Sequence, residues 1–574
     1  MAESTKDLAG AGDGHDPKSA AAAAPNPDQV AAAHRNPWPP LVIVALGFFV
    51  ALLDATIVNV AIPTMLPSLH ATFDQILWVI NAYLLVLAVL LITAGRVGDI
   101  LGPRNLFVVG LGVFSLASAL CGLVQDANQL IAARVLQGFG AATMSPQVLV
   151  IASSLFPPER RGQALGIVAS VTALATIAGP TVGGSIVTYW DWRWVFFMNV
   201  PIGVVGVIGG LTLVPDIRPG RRHRLDLVGV ALATGGLFGI VFGLIEGERY
   251  AWGTIGNSIF TIPEVMVAGG LLVVLFVLWQ RVQSEPLLPL VLFTRRNYSL
   301  ATVLAGLSFF ATFGFGLVFI LECQSILGMS PIQAGLTFMP LSIVMAFTAP
   351  LAGRLTDRLG GRILLVGGST LMTIGLGGLA LLGSLSATWL TFVVPLACYG
   401  LGMGCVTAPT LTVAINDVAP PLAGAASGLF NTSRQVGGAI GAAVIGAVLQ
   451  NQLVSNMQTG AGAAATRLPP SVRDQFIRAF ANAGRNGLEV GRGQSGGAPV
   501  PAGIPASAAH QVVQLIHEVF VNAFVLSVRP ALAVPAILMA IGALCATLIV
   551  RRAARVAVAP TLPREPQREH GRVG

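Results

Sequence analysis

Charge is scarce in this chain. Asp, Glu, Lys and Arg make up 10% of its 574 residues, against about 25% in an ordinary soluble domain. Lysine is almost missing, with Lys6 and Lys18 set against a Lys+Arg total of 33. Neither lies in a G-x-x-x-x-G-K-[ST] loop, which excludes ATP hydrolysis through a P-loop. No H-E-x-x-H occurs, and all seven histidines lie outside the long apolar runs. The five cysteines (Cys121, Cys323, Cys398, Cys405 and Cys545) fall in or at the ends of those runs. They form no C-x-x-C and no Cys/His cluster, so neither a disulfide framework nor a zinc site is expected. A covalent or metal-dependent enzyme has nothing to work with. Residues 1–40 are polar and Ala-rich without an apolar h-region, so they are expected to be a disordered cytoplasmic tail and no cleavable signal peptide.

What is present is hydrophobic length. Apolar residues make up 54% of the chain and mean hydropathy is +0.77. A membrane-crossing helix needs about 20 such residues in a row. Fourteen runs qualify, near 41–62, 75–95, 105–124, 130–154, 162–187, 194–214, 226–246, 262–281, 298–322, 332–352, 363–384, 389–412, 424–450 and 529–550. No segment shows the alternation over about 10 residues that marks a membrane β-strand. The fold class expected is an all-α integral membrane protein with multiple spans. An even number of spans puts both termini on one side. The short connections on that side hold Arg96, Arg104, Arg160, Arg161, Arg218, Arg221, Arg222, Arg224, Arg295, Arg296, Arg354, Arg358 and Arg362, whereas those opposite hold Arg193 and Arg249. This asymmetry predicts cytoplasmic termini. The net charge of +8 and pI of 9.8 therefore point to lipid headgroups, not nucleic acid.

Two loops match. "GRVGDILGPR" (95–104) and "GRLTDRLGGR" (353–362) both read G-R-x-x-D-x-L-G-x-R, 258 residues apart. Each follows the second span of a six-span group, the pattern of a duplicated transporter. The expected organisation is an N-terminal six-helix bundle at 41–214, an inserted hairpin of spans 7 and 8 at 215–297, and a C-terminal six-helix bundle at 298–552. A long extracytoplasmic loop at 451–528 and a cytoplasmic tail at 553–574 complete it. Within that loop, apolar residues at helical spacing in 510–528 fit either an amphipathic surface helix or an extension of the last span.

Polar residues inside the runs are the candidates for chemistry. In "FVALLDATIVNVAIP" (49–63) Asp54 sits near the middle of span 1, where an ionised side chain costs about 2.5–3.5 kcal/mol on insertion scales. Asn59 follows it. Span 4 carries Arg134 and Gln137, span 9 carries Glu322 near its outer end, and span 13 carries Asn431, Arg434 and Gln435. Such residues must face protein or water and find a partner. Asp54, Arg134 and Glu322 are the candidates for proton coupling or for a substrate cation; Asn59, Gln137, Asn431, Arg434 and Gln435 are candidate polar groups of the substrate path. A structural Asp54–Arg134 pair that only locks helices is the competing reading. Span 5 ("GIVASVTALATIAGPTVGG") brings small residues and Pro180 together, which suits close helix approach.

These stretches carry a resemblance. The repeated loop resembles motif A of the major facilitator superfamily, "RVLQGFGAA" (134–142) its motif B, and "GPTVGG" (179–184) its antiporter motif C. "LDATIVNVAIP" (53–63), "DWRWVFFMNVPIG" (191–203) and "SRQVGGAIG" (433–441) resemble signatures of the fourteen-span drug:proton antiporter branch (EmrB/QacA type). Ile100 and Pro103 stand where that loop is usually basic, and Ala175 where motif C usually has glycine. The resemblance implies two six-helix bundles working by alternating access in a bacterial inner membrane. It makes Gly95, Asp99, Gly102, Arg104, Gly353, Asp357, Arg358, Gly360 and Arg362 gating-loop residues, and Gly179, Pro180, Gly183 and Gly184 the antiporter motif.

The expected function is proton-coupled multidrug efflux of lipophilic and cationic small molecules, driven by the proton gradient without a cofactor. A dedicated exporter of one lipid, peptide or natural product is the alternative, ahead of a proton-coupled importer or a non-transporting receptor. The expected partners are the bilayer, protons and small-molecule substrates. A single copy is expected to function; a periplasmic adaptor is compatible with the branch, although no residue demands one.

Overall fold

The computed structural model describes residues 36–156, 161–216, 226–247, 249–256, 258–283, 286–288, 290–384, 387–416, 418, 423–486 and 506–550. The N-terminal tail expected at 1–40 lies almost wholly outside these residues, and the tail expected at 553–574 wholly so. Helix dominates, and the described residues contain no strand beyond an isolated bridge between Thr254 and Thr261. Among them thirteen helices are long and apolar enough to cross a membrane. The helix Arg161–Tyr189, 29 residues long, lies where the fifth run was read and completes the fourteen.

Local chemistry sets the span ends. Thr72 and Gln75 form a capping box that opens span 2 (Phe73–Leu101), and Ser330 and Gln333 form another at the start of span 10 (Pro331–Thr337 and Met339–Leu359). Asp126 caps span 4 (Ala127–Ser154) by accepting from the Gln129 N–H. Each such oxygen satisfies a backbone donor that has no partner inside its own helix.

The repeated loops fold alike. Gly102 (φ 91°, ψ 132°) ends span 2 and starts span 3 (Pro103–Leu123), while Gly360 (φ 80°, ψ 144°) joins spans 10 and 11 (Gly361–Leu382). Only glycine takes this backbone without strain. Pro103, which departs from the usual basic residue, occupies the first turn of span 3, where its missing N–H is no loss. Gly95 faces Pro146 of span 4, and its counterpart Gly353 faces Ala408 of span 12 (Trp389–Asn416).

The two halves meet at one end. Gln324 Nε2 donates to the Val60 carbonyl (3.0 Å), Gln450 Nε2 to Asp74 Oδ1 (2.6 Å), and the Ile332 N–H to Thr188 Oγ1 (3.0 Å). These hydrogen bonds join the halves, and all three lie at the end away from the termini. A Cβ at Gly184 of span 5 would stand 2.5 Å from the Pro331 carbonyl of span 10, and Gly335 abuts Pro180 in the same seam. At the terminus-bearing end, the glycine contacts of the repeated loops stay within their own halves. The described contacts between the halves thus gather at the end away from the termini.

Spans 7 (Leu227–Glu246) and 8 (Ile262–Val282) form a hairpin, and span 7 packs on spans 2 and 13. Trp78 Nε1 donates to Glu246 Oε1 at 2.9 Å. At the other end Asp226 accepts from the Gly229 N–H (2.8 Å), Trp279 Nε1 (2.9 Å), Gln280 Nε2 (2.8 Å) and Gln283 Nε2 (3.3 Å). Burial pushes the Asp226 carboxyl up, but these donors together hold it below its ordinary value.

The connection read as a loop at 451–528 is helical in its described residues except for the turn at 466–469. Span 13 continues to Ala465, span 14 begins at Ala506, and Pro470–Asn486 forms a helix beside them. Leu453, Met457, Ala461, Phe476, Phe480, Ile516, Phe520 and Phe524 bury against one another. Their spacing of three to four residues makes one apolar stripe per helix, so 510–528 extends the last span. Arg467 Nη1 pairs with Glu518 across it at 3.0 Å.

Two outcomes follow from this packing. Gly184→Val is expected to hold the seam apart, abolishing crosslinking between cysteines placed at Thr188 and Ile332 in a chain freed of its own cysteines. Asp226→Ala is expected to leave buried donors unmatched and lower stability by about 1–3 kcal/mol, read from thermal unfolding at pH 7. Because the Asp226 carboxyl is depressed, its contribution is full at neutral pH and disappears only as pH falls through its lowered value. The variant and the parent should therefore converge in strong acid.

Candidate functional site

Span 1 (Trp38–Ser68) carries Asp54 to the middle of the N-terminal half, where it is fully buried. Asp54 Oδ2 pairs with Arg134 Nη1 of span 4. Asp54 Oδ1 accepts from Gln137 Nε2 at 2.9 Å and from Asn199 Nδ2 of span 6 at 3.2 Å. Arg134 is 1% exposed. Its Nε donates to the Val79 carbonyl (3.1 Å), its Nη1 also reaches Gln137 Oε1 (2.7 Å), and its guanidinium lies 4.2 Å over the Tyr83 ring. Tyr83 is anchored through its hydroxyl to the Ala51 carbonyl at 2.9 Å. Ser118 Oγ of span 3 accepts from Gln137 and Asn199 (3.2 and 3.1 Å) and donates to the Phe196 carbonyl (2.9 Å). Arg134 and Gln137, i and i+3 on one helix, share a face, so one turn of span 4 presents both to the same carboxylate.

The network draws on spans 1, 2, 3, 4 and 6 and lies wholly within the N-terminal half. Asp54, Arg134 and Gln137 come together as a site. Asn199 and Ser118 belong to it and were not singled out in sequence. An asparagine inside the apolar end of "DWRWVFFMNVPIG" is the signal that points to Asn199; Ser118 in "FSLASAL" carries none.

The other candidates lie apart. Asn59 is buried at the seam, where Gly316 of span 9 faces it. Glu322 opens a π-turn (Glu322–Ile326) at the end of span 9 (Arg296–Leu321), 1% exposed, with Oε2 unpartnered and Gly383 of the C-terminal half beside it. It shares no partner with Asp54. Arg434, Asn431 and Gln435 lie half-buried on span 13 (Ala423–Ala465). Arg434 Nη1 donates to Asn431 Oδ1 at 3.3 Å, and its guanidinium lies 4.0 Å over the Phe309 ring.

The antiporter-motif glycines divide between two neighbours. Gly179 and Gly183 press on Thr56 and Ile57 of span 1, while Pro180 and Gly184 meet span 10. Span 5 thus links the helix bearing Asp54 to the opposite half. In the repeated loops Arg104 reaches the Gly210 carbonyl (3.2 Å) and that of Leu211, tying off span 6. Arg358 and Arg362 are exposed. The Asp99 and Asp357 side chains lie outside the described residues.

Chemically, the centre is a carboxylate whose charge is met by a guanidinium and two amides, sealed from water. Removing one charge from such a pair typically costs about 3–5 kcal/mol, because the partner is left buried and uncompensated. A proton arriving on Asp54 therefore forces its neighbours to rearrange. Among the described residues no cluster of His, Cys, Asp and Glu could hold a metal ion.

Comparison with known proteins agrees with this architecture. The chain is 38% identical to an uncharacterised MFS-type transporter of Mycobacterium tuberculosis, over 78% of each chain. It is 37% identical to the tetracenomycin C resistance and export protein of Streptomyces glaucescens, over 73% of this chain and 77% of that one. Identity to the multidrug resistance protein Stp of M. tuberculosis is 34%, over 73% and 77%. In fold it is similar to the crystal structure of a bacterial homologue of the human lysosomal transporter Spinster, in an inward-facing, unoccupied conformation. That match has a TM-score of 0.57 at 15% identity and covers 92% of this chain and 99% of that one. The sequence profile described as Major Facilitator Superfamily matches residues 44–442. With that match spanning both halves of the molecule, the chain belongs to the major facilitator superfamily.

Proposed function

We propose that this protein exports lipophilic small molecules, cations among them, in exchange for protons, with Asp54 as the proton-carrying group. The observation that carries the reading is the enclosure of Asp54 by Arg134, Gln137 and Asn199 inside one half of a molecule whose halves meet across a seam of small residues. The printed names of relatives support export as the direction: tetracenomycin C resistance and export, multidrug resistance, and puromycin resistance in Streptomyces alboniger. No catalytic step is part of this reading.

The cycle needs two states. In one, with the termini on the cytoplasmic side of a bacterial cell membrane, a cleft between the halves opens inward and takes up substrate. Opening of the seam exposes the cleft and the region of Asp54 to the outside, where a proton binds. Neutral Asp54 no longer holds Arg134 by charge, and the network relaxes around Ser118 and the Val79 carbonyl. One charge moved across 100 mV supplies roughly 2.3 kcal/mol, enough for more than about tenfold accumulation per proton. The reading uses one copy of the chain and needs no adaptor protein, because the Asp54 network and both sides of the seam belong to a single polypeptide.

Proton-driven ethidium transport in proteoliposomes tests it. Wild type is expected to move ethidium against its gradient when a ΔpH is imposed, and Asp54→Asn is expected to bind ethidium yet fail to accumulate it. Equal accumulation by both would move coupling away from Asp54. Asn199→Leu, which removes a donor to the carboxylate, is expected to slow transport by about tenfold or more while leaving span 6 folded. Circular dichroism and gel filtration would check the fold.

A further inference from the structure

We propose that Tyr83 is a positioning residue for the proton step: its ring holds the Arg134 guanidinium when a proton neutralises Asp54. This rests on the export reading, in which Asp54 carries the proton, and names a group that regulates how readily it does so.

Local geometry places the ring. Tyr83 follows Val79 by one turn of span 2, so both lie on the face turned to span 4. The Val79 carbonyl accepts from Arg134 Nε at 3.1 Å, and the guanidinium lies 4.2 Å over the Tyr83 ring. Span 4 comes this close because Gly138, one turn beyond Arg134, has no side chain. A Cβ there would stand 2.8 Å from the Tyr83 carbonyl. Tyr83 is fully buried, and its hydroxyl donates to the Ala51 carbonyl at 2.9 Å. Ala51 lies one turn before Asp54 on span 1. The ring is therefore held at both ends, by its backbone on span 2 and by its hydroxyl on span 1.

Charge balance gives the ring its role. An aromatic face is negative, so it attracts a cation and repels an anion. While Asp54 is ionised, the ring faces an ion pair of no net charge, and the two effects oppose each other. A proton on Asp54 leaves Arg134 as a lone cation, and the attraction of the ring is then unopposed. Besides the ring, Arg134 keeps only neutral acceptors among the described residues, the Val79 carbonyl and Gln137 Oε1 at 2.7 Å. The ring thus favours the protonated state of the centre over the ionised one. Burial strengthens the effect, because no water competes for the guanidinium.

The neighbouring spans add no other charge. Span 3 brings Cys121, whose Sγ donates to Gln137 Oε1 at 3.6 Å, and span 6 brings the neutral Asn199. Span 5 carries no ionisable side chain between 162 and 188. Among the described residues, Tyr83 is the neutral group whose interaction with Arg134 grows when Asp54 loses its charge.

Ethidium accumulation in proteoliposomes tests the proposal, with external pH stepped across the neutral range at a fixed ΔpH. Tyr83→Phe keeps the ring and is expected to keep the wild-type midpoint. Tyr83→Leu keeps an apolar side chain without the ring, and is expected to need about tenfold more protons, a midpoint about one pH unit lower. A Leu variant slowed at every pH with an unchanged midpoint means that the ring only fills space, and overturns the proposal. A Phe variant shifted as far as the Leu variant overturns it too. If the Leu variant does not fold, Tyr83→trifluorophenylalanine decides, since fluorine keeps the shape and weakens the negative face. A lowered midpoint there supports the proposal, and a wild-type midpoint overturns it. Asp54→Asn is measured alongside. Accumulation by that variant at the wild-type level removes the export reading and this proposal together, whereas an unshifted Tyr83→Leu beside an inactive Asp54→Asn overturns this proposal alone.

Discussion

A carboxylate and a guanidinium buried together in a membrane helix bundle constrain everything around them. Neither Asp54 nor Arg134 can reach water, so each must take its full set of partners from protein. Those partners come from spans 1, 2, 3, 4 and 6, and satisfying them fixes how the N-terminal half packs. Tyr83 stacks under the guanidinium, Ser118 bridges Gln137 and Asn199, and the Val79 carbonyl takes the remaining Nε donor. A change of charge at its centre is therefore met directly by spans 1, 2, 3, 4 and 6.

The second half repeats the scaffold but not the centre. Gly102 and Gly360 turn the chain with nearly the same backbone angles, and Gly95 and Gly353 face corresponding helices. Span 9 nevertheless has no carboxylate at mid-depth to match Asp54; its Glu322 lies at the span end, away from the cleft. Span 12 carries no arginine where span 4 has Arg134. The charged group within the spans of this half, Arg434, meets the Asn431 oxygen and the face of Phe309. Duplication thus supplied two similar scaffolds, of which one carries the buried ion pair.

Much of this was legible from sequence because hydrocarbon imposes simple rules. Run length gave the spans, and the G-R-x-x-D-x-L-G-x-R loops marked corresponding turns in the two halves. Asp54 and Arg134 stood out because charge within an apolar run is costly. Their pairing did not, since it depends on how spans 1 and 4 cross. Asn199 was hidden among the apolar residues of a signature read as a whole. Residues 451–465 and 506–528 looked like loop because Gly, Ala and polar residues dilute their hydropathy, yet their apolar stripes close on one another once spans 13 and 14 are side by side. Glu322, the other candidate carboxylate for coupling, lies at the end of span 9 in the C-terminal half and shares no partner with Asp54.

The seam is built so that it can open. Its polar contacts include the Gln324–Val60, Gln450–Asp74 and Thr188–Ile332 hydrogen bonds. Each contributes roughly 0.5–1.5 kcal/mol net, so together they hold a few kcal/mol. Transfer of one charge across 100 mV is worth about 2.3 kcal/mol, the same order. Elsewhere in the seam backbone meets backbone at Gly184, Pro331, Pro180 and Gly335, and Leu77 of span 2 packs on Gly446 of span 13. Small residues let the helices approach closely without interlocking. A seam of large interdigitated side chains would close more firmly, and a single proton could not then open it.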